Sequence, residues 1–336
     1  MSQPFVVAPG RTLSLSLVGT DTAQTPPECF AFVTNVSKIV GAEELTLFQG
    51  YKLRRATSRE VQKIKELLSC STEGLFGLRD FPWEYNRDAD GNAIPLPESE
   101  WRYFVIAFQE FGMTDLYLQY TFPLVRLELE VAFLAGPAPT VPGRAYPVAI
   151  HHSGRLFQLL DQFKLGTANL FDATATDAEE VSRICSLLQS HDKEVVNIQQ
   201  IAAQLLEFEA LPRGRPALFL AYFGILESLL THRPQPTDPY DSITRQVKRK
   251  VALLNNRWSP QIDYSLFGDA KPDAVWGKMY AYRSSLAHGD VPDFKNGELR
   301  ALGGPDNAMA LLKSTVKAVS RLALSEPQLI ADLKDC

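Results

Sequence analysis

Residues Met279 to Asp290 read MYAYRSSLAHGD, and the longer run from Lys271 reads KPDAVWGKMYAYRSSLAHGD. Pro272 at one end and Gly289 at the other predict a helix between them. Proline suits a first turn, where an N–H would lack an intrahelical partner anyway. Glycine suits the position past the last turn, where φ is positive. Arginine and histidine are also welcome in a last turn, facing the negative end of the helix dipole. One reading of the stretch is therefore a capped helix end. A second is a catalytic pair. Positions five apart lie about 140° apart around an ideal helix. Arg283 and His288 can converge only if His288 sits at the C-cap and the glycine lets the chain turn.

Such a pair suits phosphodiester chemistry. Histidine titrates near neutrality, so it can take and give protons at physiological pH. Arginine stays charged and presents a planar fork to phosphate oxygens. RNA brings its own nucleophile, the 2′-hydroxyl, so the two side chains could cleave it without a metal. DNA lacks that group and would be a poor substrate.

The surrounding chain divides by texture. From about residue 176 onward the periodicity is helical. DAEEVSRICSLLQSHDKEVVNIQQIAAQLLEFEAL fits one long helix, or two with a break near Ser190–Asp192. RPALFLAYFGILESLLTHR is apolar almost all round and predicts a central buried helix. DPYDSITRQVKRKVALLNNR places Ile243, Val247, Val251 and Leu254 on one face, and NAMALLKSTVKAVSRLAL predicts a last helix. The second half reads as a bundle of about five helices.

Residues 1 to about 175 alternate in the strand manner instead. RTLSLSLVGT, CFAFVTNVSKIV, ELTLFQGYKL, WRYFVIAFQEFG and LYLQYTFPLVRLELEVAFLA are rich in aromatic and β-branched residues. One helix is expected among them, SREVQKIKELLSC, with Ser58 as N-cap and Val61, Ile64, Leu67 and Leu68 on its apolar stripe. The fold class expected is α+β: a β-rich unit over 1–174 and a helical bundle over 175–336, with the boundary near Asp172–Asp177.

Composition narrows the function classes. The chain has 336 residues, 45% of them hydrophobic and 22% charged, with a net charge of −5. It is not a basic nucleic-acid coat, so any contact with nucleic acid must use a local patch. Cys29, Cys70, Cys185 and Cys336 are far apart and form no CxxC pair, which speaks against structural zinc and a disulfide framework. No signal peptide and no run of about 18 apolar residues is seen. A cytoplasmic protein is expected. Gly-rich phosphate loops and nucleophile elbows are absent from the sequence.

The segment Met279-Tyr280, Arg283-Ser284, His288-Gly289 resembles the R-x4–6-H motif of HEPN ribonuclease domains, in particular the Apea-like group. FGILESLL (Phe223 to Leu230) resembles that group's earlier core helix with an embedded glutamate, Glu227. RQVKRKVALL (Arg245 to Leu254) resembles the basic helix between them, and the order holds over about residues 176–325. RLFQLLDQFKLGTANLF, further upstream, is loosely similar to the close of the β-rich unit that often precedes such domains. The resemblance implies a metal-independent endoribonuclease with no cofactor and RNA as substrate. It also implies a homodimer whose two motifs form one composite cleft, acting in phage defence or as a toxin. Arg283 would stabilise the scissile phosphate and His288 would be the general base or acid. Ser284 stands where many HEPN domains carry Asn, Asp or His and where the Apea-like group usually carries serine. Tyr280 belongs to the same motif. Glu227 either orients Arg283 or His288 or is a buried partner of a structural arginine. The alternative function is a non-catalytic HEPN module that binds RNA, a nucleotide or a protein.

Other residues give weaker signals. Arg245, Lys248 and Arg249 share a face of their helix, with Lys250 beside them. The face is either simply solvated or a track for an RNA backbone. His151 and His152 are adjacent on a strand and point to opposite sides, so they cannot readily share a metal. His191 and His232 have no partners at metal-ligand spacing and read as surface residues. Trp83, Tyr85, Trp101 and Tyr103 suit a sheet core or a stacking surface.

Overall fold

A computed structural model describes residues 29–72, 85–97, 100, 102–109, 113–136, 149–152, 170–208, 211, 216–234 and 241–336. The stretches RTLSLSLVGT and most of RLFQLLDQFKLGTANLF, as well as Trp83 and Trp101, lie outside them. The described chain is α+β.

Its sheet is built from alternating sequence. Strands β1 (Cys29–Val33), β3 (Glu44–Phe48), β4 (Tyr51–Arg55), β7 (Phe104–Phe108), β8 (Val131–Gly136) and β9 (Ala149–His152) pair antiparallel in the order β3-β4-β7-β1-β8-β9. Strands β3 and β4 form a hairpin with Phe48 opposite Tyr51. Gly50, with φ of 87°, takes the left-handed position in its turn. Two short ribbons stand apart: β2 (Val36–Ile39) runs parallel to β10 (Phe171–Ala173), and β5 (Tyr85–Arg87) pairs with β6 (Ala93–Pro95).

Period-two alternation sends the two faces of the sheet to different cores. Cys29, Ala31 and Val33 of β1 and Phe104, Ile106 and Phe108 of β7 join the large core shared with the helical half. Phe30, Phe32 and Val105 face the other way, under helix α1 (Ser58–Thr72). That helix contributes Val61, Ile64 and Leu67, as expected from its stripe. Its cap is one residue earlier than expected, at Thr57 rather than Ser58. The Glu60 amide donates to Thr57 Oγ1 at 3.3 Å, and the Thr57 amide donates to Glu60 Oε2 at 2.7 Å. This reciprocal box needs a Glu three residues after the cap, and only Thr57 has one.

One strand expectation fails. LYLQYTFPLVRL forms helix α2 (Met113–Thr121) and a 3-10 turn, Phe122–Leu124, before the chain enters β8. Leu118, Thr121 and Phe122 are buried at helical spacing. Burial of that face against the bundle outweighs the strand preference of the aromatic residues.

The helical half comprises α3 (Ala175–Ser190), α4 (Ile198–Phe208), α5 (Pro216–Leu230), α6 (Ile243–Asn255), α7 (Pro272–His288), α8 (Pro305–Ser325) and α9 (Pro327–Asp335). That is seven among the described residues, where about five were expected. The acidic-start segment is two helices, and α9 follows α8 across Glu326 with Pro327 in its first turn. No described helix is long and apolar enough to cross a membrane.

The change of texture near residue 174 coincides with the step from β10 to α3, where Thr174 and Asp177 form a second capping box. Packing continues across that step. Arg126, after the 3-10 turn, donates through Nε to Asp177 Oδ1 at 2.6 Å and through Nη2 to Oδ2. Lys317 of α8 donates to the Val125 carbonyl at 2.7 Å and pairs with Glu128, and Arg321 pairs with Glu180. Burial pushes the Asp177 carboxyl up, but the Arg126 and Thr174 hydrogen bonds outweigh it and hold the group below its ordinary value.

Candidate active site

Helix α7 presents the motif, and its seating is decided by aromatic packing. Val275, Trp276, Met279 and Tyr282 are buried along one stripe. Trp276 Nε1 donates to Tyr264 Oη at 2.9 Å. The Tyr282 ring lies against Phe219 of α5 and Phe294, with centroids 4.5 Å and 4.9 Å apart. Burial, with the Asp306 charge adding to it, pushes the Tyr282 phenol up, so it stays neutral. Tyr280 meets Phe223 edge-on at 6.1 Å.

Arg283 therefore emerges beside α5. Helical side chains lean toward the N-terminus of their own helix, and the Arg283 guanidinium lies 5.8 Å from the centroid of the Tyr280 ring one turn back. Its Nη2 donates to Glu227 Oε2 of α5 at 3.2 Å. Of the partners expected for Glu227, Arg283 makes the contact and His288 does not. The other carboxylate oxygen, Glu227 Oε1, is buried with no hydrogen-bond partner among the described residues. Leaving a buried acceptor unpaired costs about 1–3 kcal/mol, and more for a charged group.

His288 is placed differently. It is the last residue of α7 and is exposed. Gly289 takes φ of 78°. Its amide donates to the Leu286 carbonyl at 3.2 Å, and the Asp290 amide donates to the Ser285 carbonyl at 2.9 Å. These two bonds form the Schellman closure of a helix end. They keep the chain helical through His288, so the turn that could have swung the ring toward Arg283 does not occur. Within one chain the two side chains leave α7 about 140° apart. The His288 side chain makes no hydrogen bond or ion pair with any described residue. Ser284 is half-buried and likewise has no side-chain partner among them.

Helix α5 is less enclosed than its composition suggests. Leu218, Phe219, Tyr222, Phe223, Ile225, Leu226, Leu229 and Leu230 are buried. Ala217, Gly224 and Ser228 are exposed. These three fall on one strip beside Glu227, and none carries a long side chain.

The basic helix α6 starts at Ser242, whose hydroxyl accepts from the Arg245 amide at 3.3 Å. It lies along the first half of α7. Lys248 Nζ pairs with Asp273 Oδ2 at 3.2 Å and sits over Gly277, where an added Cβ would come within 3.2 Å of it. Arg245 is half-buried and Arg249 is exposed. Arg283 follows Gly277 by six residues, so at 1.5 Å per residue it lies about 9 Å further along α7.

Lys250 and His232 depart from expectation. Lys250 is only 7% exposed and donates to the Lys334 carbonyl at 3.3 Å. Burial pushes its amine below the ordinary value, while Cys336, Asp241 and Asp335 oppose that shift. His232 is not a solitary surface residue. Its Nδ1 lies 2.9 Å from the same Lys334 carbonyl, its Nε2 lies 3.2 Å from Asp241 Oδ2, and its amide donates to Gln246 Oε1 at 2.9 Å. Gln246 Nε2 donates to Asp241 Oδ1 at 2.7 Å. His191 also has a partner, the Val196 carbonyl at 2.7 Å. The two bonds to the Lys334 carbonyl span 102 and 84 positions of the chain, and no local pattern announces them. His151 and His152 do lie on a strand, opposite Leu134 and Phe133. No family model, no curated protein and no solved structure matches this chain.

Proposed function

We propose that the chain is a metal-independent endoribonuclease of the HEPN type, with Arg283 and His288 as its reactive side chains. Its β-rich part would be a sensor for phage defence or toxin action. The observation that carries the reading is the seating of Arg283 in the α5–α7 crevice, about one and a half turns from the exposed histidine that ends the same helix. Only one of the five donors of Arg283 is engaged among the described residues. The rest are left for phosphate oxygens. In the reaction the RNA 2′-oxygen attacks the adjacent phosphorus and the bond to the 5′-oxygen breaks. His288 takes the hydroxyl proton or supplies one to the leaving oxygen, and Arg283 stabilises charge on the non-bridging oxygens. The products are a 2′,3′-cyclic phosphate and a 5′-hydroxyl.

The divergence of the two side chains on α7 supports a composite site, in which Arg283 of one copy works with His288 of a second. The short side chains of the α5 strip would let a second copy approach closely. Arg245, Lys248 and Arg249 would guide the RNA backbone toward the cleft.

The test is cleavage of single-stranded RNA in EDTA. The wild type should cleave it, leave a cyclic phosphate, and spare a substrate with 2′-deoxyribose at the scissile position. Arg283→Lys keeps a cation against Glu227 and His288→Ala removes an unpartnered ring, so both should fold. Each should slow cleavage by about 10²-fold or more. An inactive wild type, or two variants that cleave at its rate, would sink the assignment. One observation favours the non-catalytic alternative: no described group orients the His288 ring, whereas a working base is usually held by a third group. That alternative predicts RNA binding without cleavage, and growth inhibition that His288→Ala does not relieve.

A further inference from the structure

Arg283 and Glu227 are bonded unevenly. One N–H of the guanidinium meets Glu227 Oε2, while Glu227 Oε1 is buried and unpartnered among the described residues. The Arg283 side chain is 32% exposed and that of Glu227 is 16% exposed. Among the described residues, Glu227 has no other cation. If Arg283 swung out of the crevice, a mostly buried carboxylate would lose its only counter-charge, which is strongly unfavourable. On its other side the guanidinium meets the Tyr280 ring, which is braced in turn by Phe223, one turn before Glu227 on α5. The cation is thus gripped by two helices. Among the described residues nothing comparable holds His288, which is exposed beside a left-handed glycine.

We infer that Glu227 is a positioning residue: it pins the Arg283 guanidinium in the α5–α7 crevice and leaves His288 as the movable half of the pair. That the pinned group meets a phosphate rests on the ribonuclease reading; the pinning itself does not. A carboxylate in this role restrains its arginine without touching substrate. Its loss should harm the reaction through misplacement of the guanidinium, since catalytic geometry tolerates little drift. Loss of the negative charge should leave RNA affinity intact or slightly raised.

The experiment compares full-length wild type, Glu227→Gln and Glu227→Asp. The first signal is the order parameter of the Arg283 Nε–H group by NMR, which needs no activity. The second is the single-turnover rate of RNA cleavage, with the RNA dissociation constant measured alongside. In the wild type the Arg283 group should be ordered, near about 0.85, and in Glu227→Gln it should fall below about 0.6. Cleavage by Glu227→Gln should drop about tenfold or more with the dissociation constant changed less than threefold. Glu227→Asp, which keeps the charge, should recover part of both losses. An Arg283 that stays ordered in Glu227→Gln overturns the inference, as does full cleavage by a variant whose arginine has become mobile. If the wild type does not cleave RNA, the ribonuclease reading falls and the order parameters alone decide the positioning role. If Glu227→Gln does not fold, Glu227→Asp decides: a partial loss of order supports the role and unchanged order overturns it.

Discussion

Two polar clusters sit in the same helical bundle and are built in opposite ways. In the one that holds the C-terminal helix, no buried side-chain nitrogen or oxygen of a described residue is orphaned. His232 meets the Lys334 carbonyl, Asp241 and Gln246; Gln246 meets Asp241; and Lys250 meets the Lys334 carbonyl. In the other, between α5 and α7, one carboxylate oxygen of Glu227 has no partner and most of the Arg283 donors are spare among the described residues. A fully satisfied network rigidifies a fold, whereas a polar group left unsatisfied in a native protein calls for a reason. On the proposed ribonuclease reading, the first cluster serves stability and the second serves chemistry.

Variants can break that comparison. The largest effect is expected at the open cluster, where His288→Ala should lose about 10²- to 10⁴-fold in cleavage with a melting temperature near that of the wild type. The closed cluster should behave in reverse. Gln246→Leu removes the hub, with its bonds to the His232 amide and to Asp241 Oδ1. It should destabilise the fold by about 1–3 kcal/mol in urea titrations, with cleavage unchanged where the variant is folded. A loss of cleavage without a loss of stability would reverse the assignment.

A third cluster, at the step from sheet to bundle, calibrates the other two by pH. The folded value of Asp177 is held down, so the stability it contributes is present above its unfolded value, about pH 3.9, and is lost as pH falls through the lowered folded value. Arg126 is largely exposed, so Arg126→Met should cost about 1–2 kcal/mol at pH 7. The gap between variant and wild type should close in acid, which stability curves measured from pH 7 to pH 2 would show. A gap that persists unchanged at pH 2 would mean that Arg126 acts by packing instead. The smallest effect is expected from Arg249→Ala on exposed α6, about twofold in RNA affinity with a salt slope shallower by about 1. An unchanged slope would make that face simply solvated.

The elements legible in advance were those with a local physical cause. Pro272 and Gly289 mark α7 because each answers a requirement of its own backbone position. The β3–β4 hairpin follows from alternation around Gln49-Gly50. Helix α2 was misread because its aromatic residues fit a strand as readily as a helix, and only burial of Leu118 and Phe122 decides between them. The exposed strip of α5 leaves no mark in the sequence because alanine, glycine and serine at a surface look no different from the same residues in a core. Lys250 reads as one of four basic residues in a run, yet its direction on α6 carries it inward to a carbonyl 84 positions away.

The sequence by itself determined the class of the chain: a strand-rich part before about residue 174, helices after it, and a helix that stops at Gly289 with an arginine and a histidine near its end. Those features follow from period, capping and backbone freedom, all of which act over a few residues. Tertiary structure alone decided that Arg283 is held by Glu227 while the His288 side chain has no partner among the described residues, and that His232 and Lys250 are ties of the fold. A hydrogen bond between helices depends on how those helices pack, and packing is a property of the whole core that no local pattern encodes.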